Sequence, residues 1–251
     1  INVSNIEVSL ILTTWNGEDT IRNAISSIKN QSYKNIRYIV CDDFSTDNTI
    51  KIIKEEFEGR DDTKIILNKK NLGAWKNFQN GVKASTSDYI CWICQDDLWS
   101  ENFVEEIVNC IQQYKEKHKV YPSIGGAKTV LKKKGETLFT KEYSKYNFEK
   151  SSKINTIFKL MAGIKTNNYN KINLMIHGLI HRKYLLNIID FRGNNIFEVF
   201  HDRHVMLLLA AQSGWCSTSK SKYYRTLSTG EALREKREKR EEYIQSKWRR
   251  S

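Results

Sequence analysis

Hydrophobic runs that stop abruptly at polar residues alternate with amphipathic segments along the first half of the chain. Three runs have the apolar character of strands buried in a parallel sheet, Ile6–Thr14, Arg37–Cys41 and Tyr89–Cys94, and Lys64–Leu67 is a short strand between the last two. The segments between them place apolar residues on one helical face: Asp19–Asn30, Thr49–Phe57 and Ala74–Ala84. Strands that alternate with helices at such short intervals predict an α/β fold with a mainly parallel sheet flanked by helices.

The second half of the chain has a less regular pattern. It predicts helices at Asn102–Lys117, Lys153–Met161, Lys183–Ile189, Val205–Gln212 and Glu231–Trp248. It predicts strands near Ser123–Leu131, Asn173–His181 and Trp215–Tyr224. We expect the basic stretch before Lys171 to cover the site, and the charged helix at the end to face solvent.

Adjacent carboxylates end two of the predicted strands. Asp42 and Asp43 follow the second strand, and Asp96 and Asp97 follow the fourth. The carboxyl ends of parallel strands share one edge of the sheet, where ligands bind in open α/β folds. Two acids held there can bind a divalent cation that also contacts a substrate diphosphate. The alternatives are a solvated Asp-Asp turn at residues 96 and 97, and a helix cap for Asp43.

Composition limits the class of protein. With 251 residues and 39% hydrophobic content, the chain can form one large domain or a domain with an appendage. No run approaches the 18 or so apolar residues of a membrane span, and the first residues of the given sequence do not have the pattern of a secretory signal. The five cysteines are odd in number and irregularly spaced, which favours a reducing, cytoplasmic location. Because the chain begins with Ile rather than Met, we expect it to be part of a longer protein.

The net charge of +12 is concentrated in one stretch, since residues 127–171 contain 11 Lys and 3 Glu. Such a surplus suits an anionic partner, which includes nucleic acid, phospholipid headgroups and a phosphorylated acceptor. A solvated face is the simpler alternative. We expect this stretch to face an anionic membrane surface or a lipid-linked acceptor.

Several motifs, in order along nearly the whole chain, resemble those of glycosyltransferase family 2, the inverting enzymes of the GT-A fold. The similar segments are Val8–Asn16, Val40–Thr49, Asn71–Phe78, Gln95–Trp99, His201–Asp202 and Tyr224–Arg225. The pattern is similar to a branch that includes rhamnosyltransferases and other surface-polysaccharide enzymes. Each motif alone is weak, but their shared order is specific.

The resemblance implies transfer of a sugar from a UDP- or dTDP-linked donor to a saccharide or lipid-linked acceptor, with inversion. It implies a Rossmann-like GT-A sheet with a C-terminal acceptor-side region. We therefore expect one domain over residues 1–230 and a charged helix over 231–251. Within the domain, residues 1–126 would bind the nucleotide sugar and residues 127–230 the acceptor. The location would be cytoplasmic, with the protein peripheral on the inner face of the membrane.

The resemblance also implies roles for the donor-binding side chains. Thr13, Asn16 and Asp43 would contact the base and ribose. Asp97 would bind Mn²⁺ or Mg²⁺, with Asp96 beside it toward the ribose.

The resemblance also implies roles for residues that would contact the donor phosphates and the acceptor. Lys76 or Arg225 could neutralise a phosphate. Asp202 would be the general base, since a carboxylate with an ordinary pKa near 3.9 is ionised at neutral pH. His201 would orient the acceptor.

Two departures from the family pattern bear on the cation. Cys94 replaces an acid of the branch, and Leu227 replaces a late histidine. The cation would therefore depend more on the nucleotide diphosphate, and a catalytically inactive binding protein is one alternative. A nucleotidyltransferase is another, although Thr13–Asp19 lacks the Gly-rich, basic loop expected of one. A basic nucleic-acid-binding module is the third, but no recognisable motif supports it, and we expect no nucleic acid partner.

Overall fold

The computed structural model describes residues 6–133, 136–141, 177–192, 205, 208, 209 and 212–226. Its strands are β1 (Val8–Thr14), β2 (Ile36–Asp42), β3 (Thr63–Leu67), β4 (Tyr89–Cys94), β5 (Leu98–Trp99), β6 (Ile124–Lys133), β7 (Glu136–Lys141), β8 (Leu179–His181) and β9 (Trp215–Thr226). Its helices are α1 (Ile21–Lys29), α2 (Thr49–Glu56), α3 (Ala74–Ala84), α4 (Phe103–His118) and α5 (Arg182–Arg192).

Half of the described sheet is the predicted parallel unit. The strand order is β3-β2-β1-β4-β8-β6-β9-β5, with β7 paired to β6, and the first four strands run parallel. Thr14 pairs with Asp42, and Thr13 pairs with Cys94, so these strands end at nearly the same level. The loops that follow them therefore meet at one edge.

The other half of the sheet is mixed. β8 pairs antiparallel with β4 and β6, β7 pairs antiparallel with β6, and β5 pairs antiparallel with β9. β6 and β9 are parallel. The pattern did not predict β5, which has only two residues, or β7, where residues 136, 137, 138 and 140 are exposed. Two residues are too few to show an alternating pattern, and the four exposed residues of β7 give no alternating apolar signal.

Helices cover both faces of the parallel strands. Alternate residues of β1 contribute to different cores: Leu10 belongs to the core that includes residues of α1, α2 and α4, whereas Ile11 belongs to the core that includes residues of α3 and α5. Every residue of β1 is buried, which is consistent with the apolar run Leu10–Leu12 at its centre. Burying one such Leu or Ile side chain stabilises the fold by about 1.5–3 kcal/mol.

Most predicted elements are confirmed within about two residues at each end. The described residues between 205 and 212 are helical, as expected. The predicted helices Lys153–Met161 and Glu231–Trp248 lie outside the described residues, as does most of the lysine-rich stretch. The domain boundaries near residues 126 and 230 stay predictions. Within the described part of the chain, no helix combines the length and apolarity needed to cross a bilayer.

Candidate active site

A cavity of about 500 Å³ lies at the carboxyl ends of the parallel strands. Its lining includes Thr13 and Cys94 at the ends of β1 and β4, and Asp43, Gln95 and Asp96 in the loops that follow the strands. This volume lies within the range of small-molecule sites, and its position at the carboxyl edge is where α/β folds bind ligands. Thr13, Asp43, Gln95 and Asp96 belong to the motifs that resemble the family. Cys94 is the residue that replaces an acid of the family pattern.

Asp43 lies at the cavity and also fixes one of its walls. Its Oδ1 accepts hydrogen bonds from Asn68 Nδ2 at 2.9 Å and Leu72 N at 2.8 Å, and its Oδ2 accepts from Gly73 N at 2.8 Å. The side chain does not cap α2; Asp47 Oδ1 accepts from Thr49 N instead. A carboxylate offers about four acceptor positions, so Asp43 Oδ2 retains one.

An asparagine network supports the same wall. Asn77 lines the cavity at 1% exposure, and its Nδ2 donates to the Cys41 carbonyl at 2.7 Å. Asn68 Nδ2 donates to Asn77 Oδ1, and Asn80 Nδ2 donates to Asn68 Oδ1. Sequence reasoning gave these residues no role, although Asn77 lies within the Asn71–Phe78 motif.

Gln95 joins the loop after β1 to the end of β4. Its Oε1 accepts from Thr14 Oγ1 at 2.6 Å and from Trp15 N at 2.8 Å, while its Nε2 donates to the Trp15 carbonyl at 3.0 Å. Trp15 lines the cavity and is 49% exposed. A Cβ at Gly17 would lie 2.3 Å from Gln95 Oε1, so a larger residue there would displace the Gln95 amide. The sequence signal for Gln95 was its place directly before the acid pair.

Thr13 and Asn16, both predicted to contact the donor, have different positions. Thr13 lines the cavity, and its Oγ1 accepts from Trp92 Nε1 at 2.7 Å. Asn16 is exposed with φ of 46°, and its Oδ1 accepts from Thr46 N at 2.9 Å. Asn16 therefore links the loops after β1 and β2 and is not part of the described cavity lining.

The two acids after β4 have different surroundings. Asp96 is half-buried and lines the cavity, whereas Asp97 is 2% exposed. Asp97 Oδ2 accepts from the Tyr223 hydroxyl, and its Oδ1 accepts from Thr226 N at 3.1 Å. Burial, and next the negative charge of Asp96, raise the pKa of Asp97 to about 7. A nearby cation would favour the ionised form of this carboxylate.

The two predicted phosphate-neutralising cations also differ. Arg225 is half-buried on β9, and its charge acts on Asp97 to lower that pKa, in opposition to burial. Arg225 thus lies near the acid pair. Lys76 is exposed on α3 and is not part of the cavity lining.

His177, to which the sequence assigned no chemistry, lies behind the acid pair. Its Nδ1 is 3.2 Å from the Trp92 carbonyl, and its ring stacks on Tyr223 with centroids 4.7 Å apart. Burial, and then the charge of Arg225, lower the pKa of His177 to about 3. The imidazole is therefore neutral at physiological pH.

Two residues of the predicted site, His201 and Asp202, lie outside the described residues, as does Leu227, the second departure from the family pattern. The expectation that Asp43, Asp97 and Asp202 converge on one pocket therefore stays a prediction. Among the described residues, no three His, Cys, Asp or Glu side chains form a group that could hold a metal ion. The adjacent carboxylates of Asp96 and Asp97 do fit Mg²⁺ or Mn²⁺, which bind through one or two carboxylates when substrate phosphates complete the shell.

Known glycosyltransferases are similar to this chain. WfgD of Escherichia coli, a UDP-Glc:alpha-D-GlcNAc-diphosphoundecaprenol beta-1,3-glucosyltransferase, is 35% identical over 98 residues, which are 39% of this chain and 38% of WfgD. The dTDP-rhamnosyl transferase RfbG of Shigella flexneri is 37% identical over 106 residues, 40% of this chain and 36% of RfbG. The chain thus spans less than two fifths of the length of these two relatives.

The fold also has a solved counterpart. The crystal structure of S. aureus TarS 1-349 in complex with UDP-GlcNAc has a TM-score of 0.67 and 17% identity, covering 90% of this chain and 60% of that chain. This likeness confirms the expected GT-A fold. The family model described as Glycosyl transferase family 2 matches residues 9–172, more than half of the chain. The chain belongs to glycosyltransferase family 2.

Proposed function

We propose that the chain is an inverting glycosyltransferase that moves a sugar from a nucleoside-diphosphate donor to a hydroxyl of a saccharide or lipid-linked acceptor. The observation that carries the proposal is the acid pair Asp96 and Asp97 beside a cavity lined by Thr13 and Asp43. The names of WfgD and RfbG refer to UDP-Glc and dTDP-rhamnosyl donors, which supports a UDP- or dTDP-linked sugar.

The base and ribose are proposed to lie against the polar ends of β1 and β2. Asp43 Oδ2 has an acceptor position left for a pyrimidine N–H, and its other bonds keep the carboxylate in a fixed orientation. Thr13 lies at the same cavity, and Asp96 is the neighbour toward the ribose. Asn16 is proposed to support the donor site indirectly, because its side chain holds the loop after β1 against the loop after β2.

The leaving diphosphate gains negative charge as the bond between the anomeric carbon and the phosphate oxygen breaks. A divalent cation, Mn²⁺ or Mg²⁺, would supply positive charge there when bound. Asp97 is the proposed protein ligand, and Arg225 adds a fixed positive charge close to it. Lys76 remains a second candidate for phosphate contact.

The acceptor hydroxyl loses its proton as it attacks the anomeric carbon. Asp202 is the proposed general base and His201 the residue that orients the acceptor. A positioned base contributes about 10²–10⁴ in rate.

The names of the relatives and the charge of the chain support a proposed acceptor and location. The name of WfgD specifies a diphosphoundecaprenol-linked acceptor, which supports a lipid-linked saccharide in surface polysaccharide synthesis. The lysine surplus of residues 127–171 supports peripheral binding to an anionic membrane on the cytoplasmic side. Co-sedimentation with vesicles that contain or lack acidic lipid tests that location.

The deciding experiment measures release of nucleoside diphosphate from UDP-glucose, UDP-N-acetylglucosamine and dTDP-rhamnose with Mn²⁺ or Mg²⁺. We expect one donor to be turned over. Asp97→Ala and Asp202→Ala should each lower the rate by about 10²–10⁴-fold, because one removes the cation ligand and the other the base. Asp61→Ala, an exposed acid in the α2–β3 connection, is the matched control.

Two outcomes would contradict this function. Nucleotide binding without turnover of any donor would favour the inactive binding protein that Cys94 suggests. Full activity of Asp97→Ala would remove the cation site from its proposed place.

A further inference from the structure

Asp97 is bound on one side by a tyrosine to which the sequence assigned no role. Tyr223 lies 126 residues away in the chain, on β9, and its hydroxyl donates to Asp97 Oδ2. The backbone N–H of Thr226 donates to Oδ1 of the same carboxylate at 3.1 Å. Each oxygen therefore accepts one hydrogen bond from β9 and keeps one acceptor position for another partner.

The ring of Tyr223 is itself fixed. It is 1% exposed and stacks on His177 at 15° between the ring planes. The carbonyl of Trp92 can only accept a hydrogen bond, so His177 Nδ1, 3.2 Å away, carries the proton and donates it. Trp92 lies on β4, the strand that ends just before Asp97. The tyrosine is thus held to the element that presents the acid.

We propose that Tyr223 is a positioning residue for the cation site: its hydroxyl fixes the Asp97 carboxylate so that the remaining acceptor positions meet the divalent cation of the nucleotide diphosphate. The inference rests on the proposed function. Carboxylates that bind metals are themselves hydrogen-bonded, and loss of such a partner typically weakens metal binding or activity about 10–100-fold.

The test compares two tyrosines that differ in place but not in burial. Tyr223→Phe keeps the ring and its stacking and removes the hydroxyl. Tyr89→Phe is the matched control, because Tyr89 is also 1% exposed and donates one hydrogen bond, to the Pro122 carbonyl at 2.7 Å, at the start of β4. Electron paramagnetic resonance measures Mn²⁺ binding to the full chain in the presence of UDP.

We expect Tyr223→Phe to raise the Kd for Mn²⁺ by at least about tenfold, and Tyr89→Phe to change it by less than about twofold. An unchanged Kd in Tyr223→Phe overturns the inference. An equal rise in both variants also overturns it, because general loosening of the fold would then be the cause.

The outcomes separate this inference from the proposed function. Equal Mn²⁺ binding by the unaltered protein and both variants removes only the role of Tyr223. Absence of Mn²⁺ binding in the unaltered protein removes the cation site as well. If thermal unfolding shows that Tyr223→Phe does not fold, His177→Phe keeps the stack but loses the Nδ1–H. It should raise the Kd about three- to tenfold, and no rise overturns the inference.

Discussion

Phe44, the residue after Asp43, carries backbone strain at the edge of the site. Its φ is 69°, in the left-handed region that costs a non-glycine residue about 1–2 kcal/mol. The ring is 50% exposed, so packing offsets little of this cost. The conformation is held by the bonds from Asp43 N to the Thr14 carbonyl and from Ser45 N to Asp42 Oδ2, each 2.9 Å. The family motif that this stretch resembles has glycine here.

We expect Phe44→Gly to raise the free energy of unfolding by about 0.5–1 kcal/mol. Glycine relieves the strain. Its greater conformational freedom also favours the unfolded chain, which offsets about 0.5–1 kcal/mol of the stabilisation. Urea denaturation measures the difference. Phe44→Ala is the control, because it keeps the Cβ that causes the strain and should not stabilise the protein. Equal effects of the two substitutions would refute the strain at this position.

The sequence predicted the acids of the proposed site but not the groups that hold them. Asp96 and Asp97 could be predicted because they directly follow an apolar run, which is a local signal. Tyr223 meets Asp97 only because β5 pairs with β9, where Leu98 lies opposite Tyr224. Register between segments so far apart depends on tertiary packing, which has no signature in either segment alone.

At the scale of elements, the parallel half of the sheet was predictable because three of its four strands, β1, β2 and β4, are largely buried on both faces. The order of the mixed half depends on short pairings, such as β8 between β4 and β6, that no pattern encodes. Helix α3 was predicted to the residue, and its packing distance is set by Gly81. A Cβ there would lie 2.4 Å from Ile11 Cγ2 and 3.1 Å from Cys41 Sγ.

We expect Gly81→Ala to lower the free energy of unfolding by about 1–2 kcal/mol. Within a helix, alanine is more favourable than glycine by about 1 kcal/mol. Overpacking against β1 typically costs about 1–3 kcal/mol, and we expect a methyl group this close to the strand to cost an amount near the top of that range. Because α3 begins at the cavity wall, the affinity for UDP should also fall. Thermal unfolding and UDP titration measure both effects. Lys83→Ala, an exposed change in the same helix, should alter neither, and a stabilised Gly81→Ala protein would contradict the packing assigned to α3.

At the scale of the whole molecule, two buried groups on either side of Tyr223 give stability opposite dependences on pH. His177 has its pKa lowered from 6.5 to about 3, so the unfolded chain binds more protons between these values. Its contribution to stability is therefore lost as pH falls below 6.5. Asp97 has its pKa raised from 3.8 to about 7, so the folded chain binds more protons. Its contribution is lost as pH rises from about 4 to 7.

Between pH 4.5 and 6 the pH dependences of stability due to His177 and Asp97 are opposite and nearly cancel. Variants that remove one of the two groups should reveal the dependence due to the other. Relative to the unaltered protein, we expect His177→Phe to lose about 1 kcal/mol of unfolding free energy for each unit of rising pH, because only the Asp97 dependence remains. Asp97→Asn should lose a similar amount for each unit of falling pH, because only His177 remains. Urea unfolding in EDTA at three pH values measures the slopes. Every other acid and histidine is common to all three proteins, so differences between their slopes come from His177 and Asp97. If unfolding free energy changed with pH in parallel for all three, neither group would have a different pKa in the folded and unfolded chains.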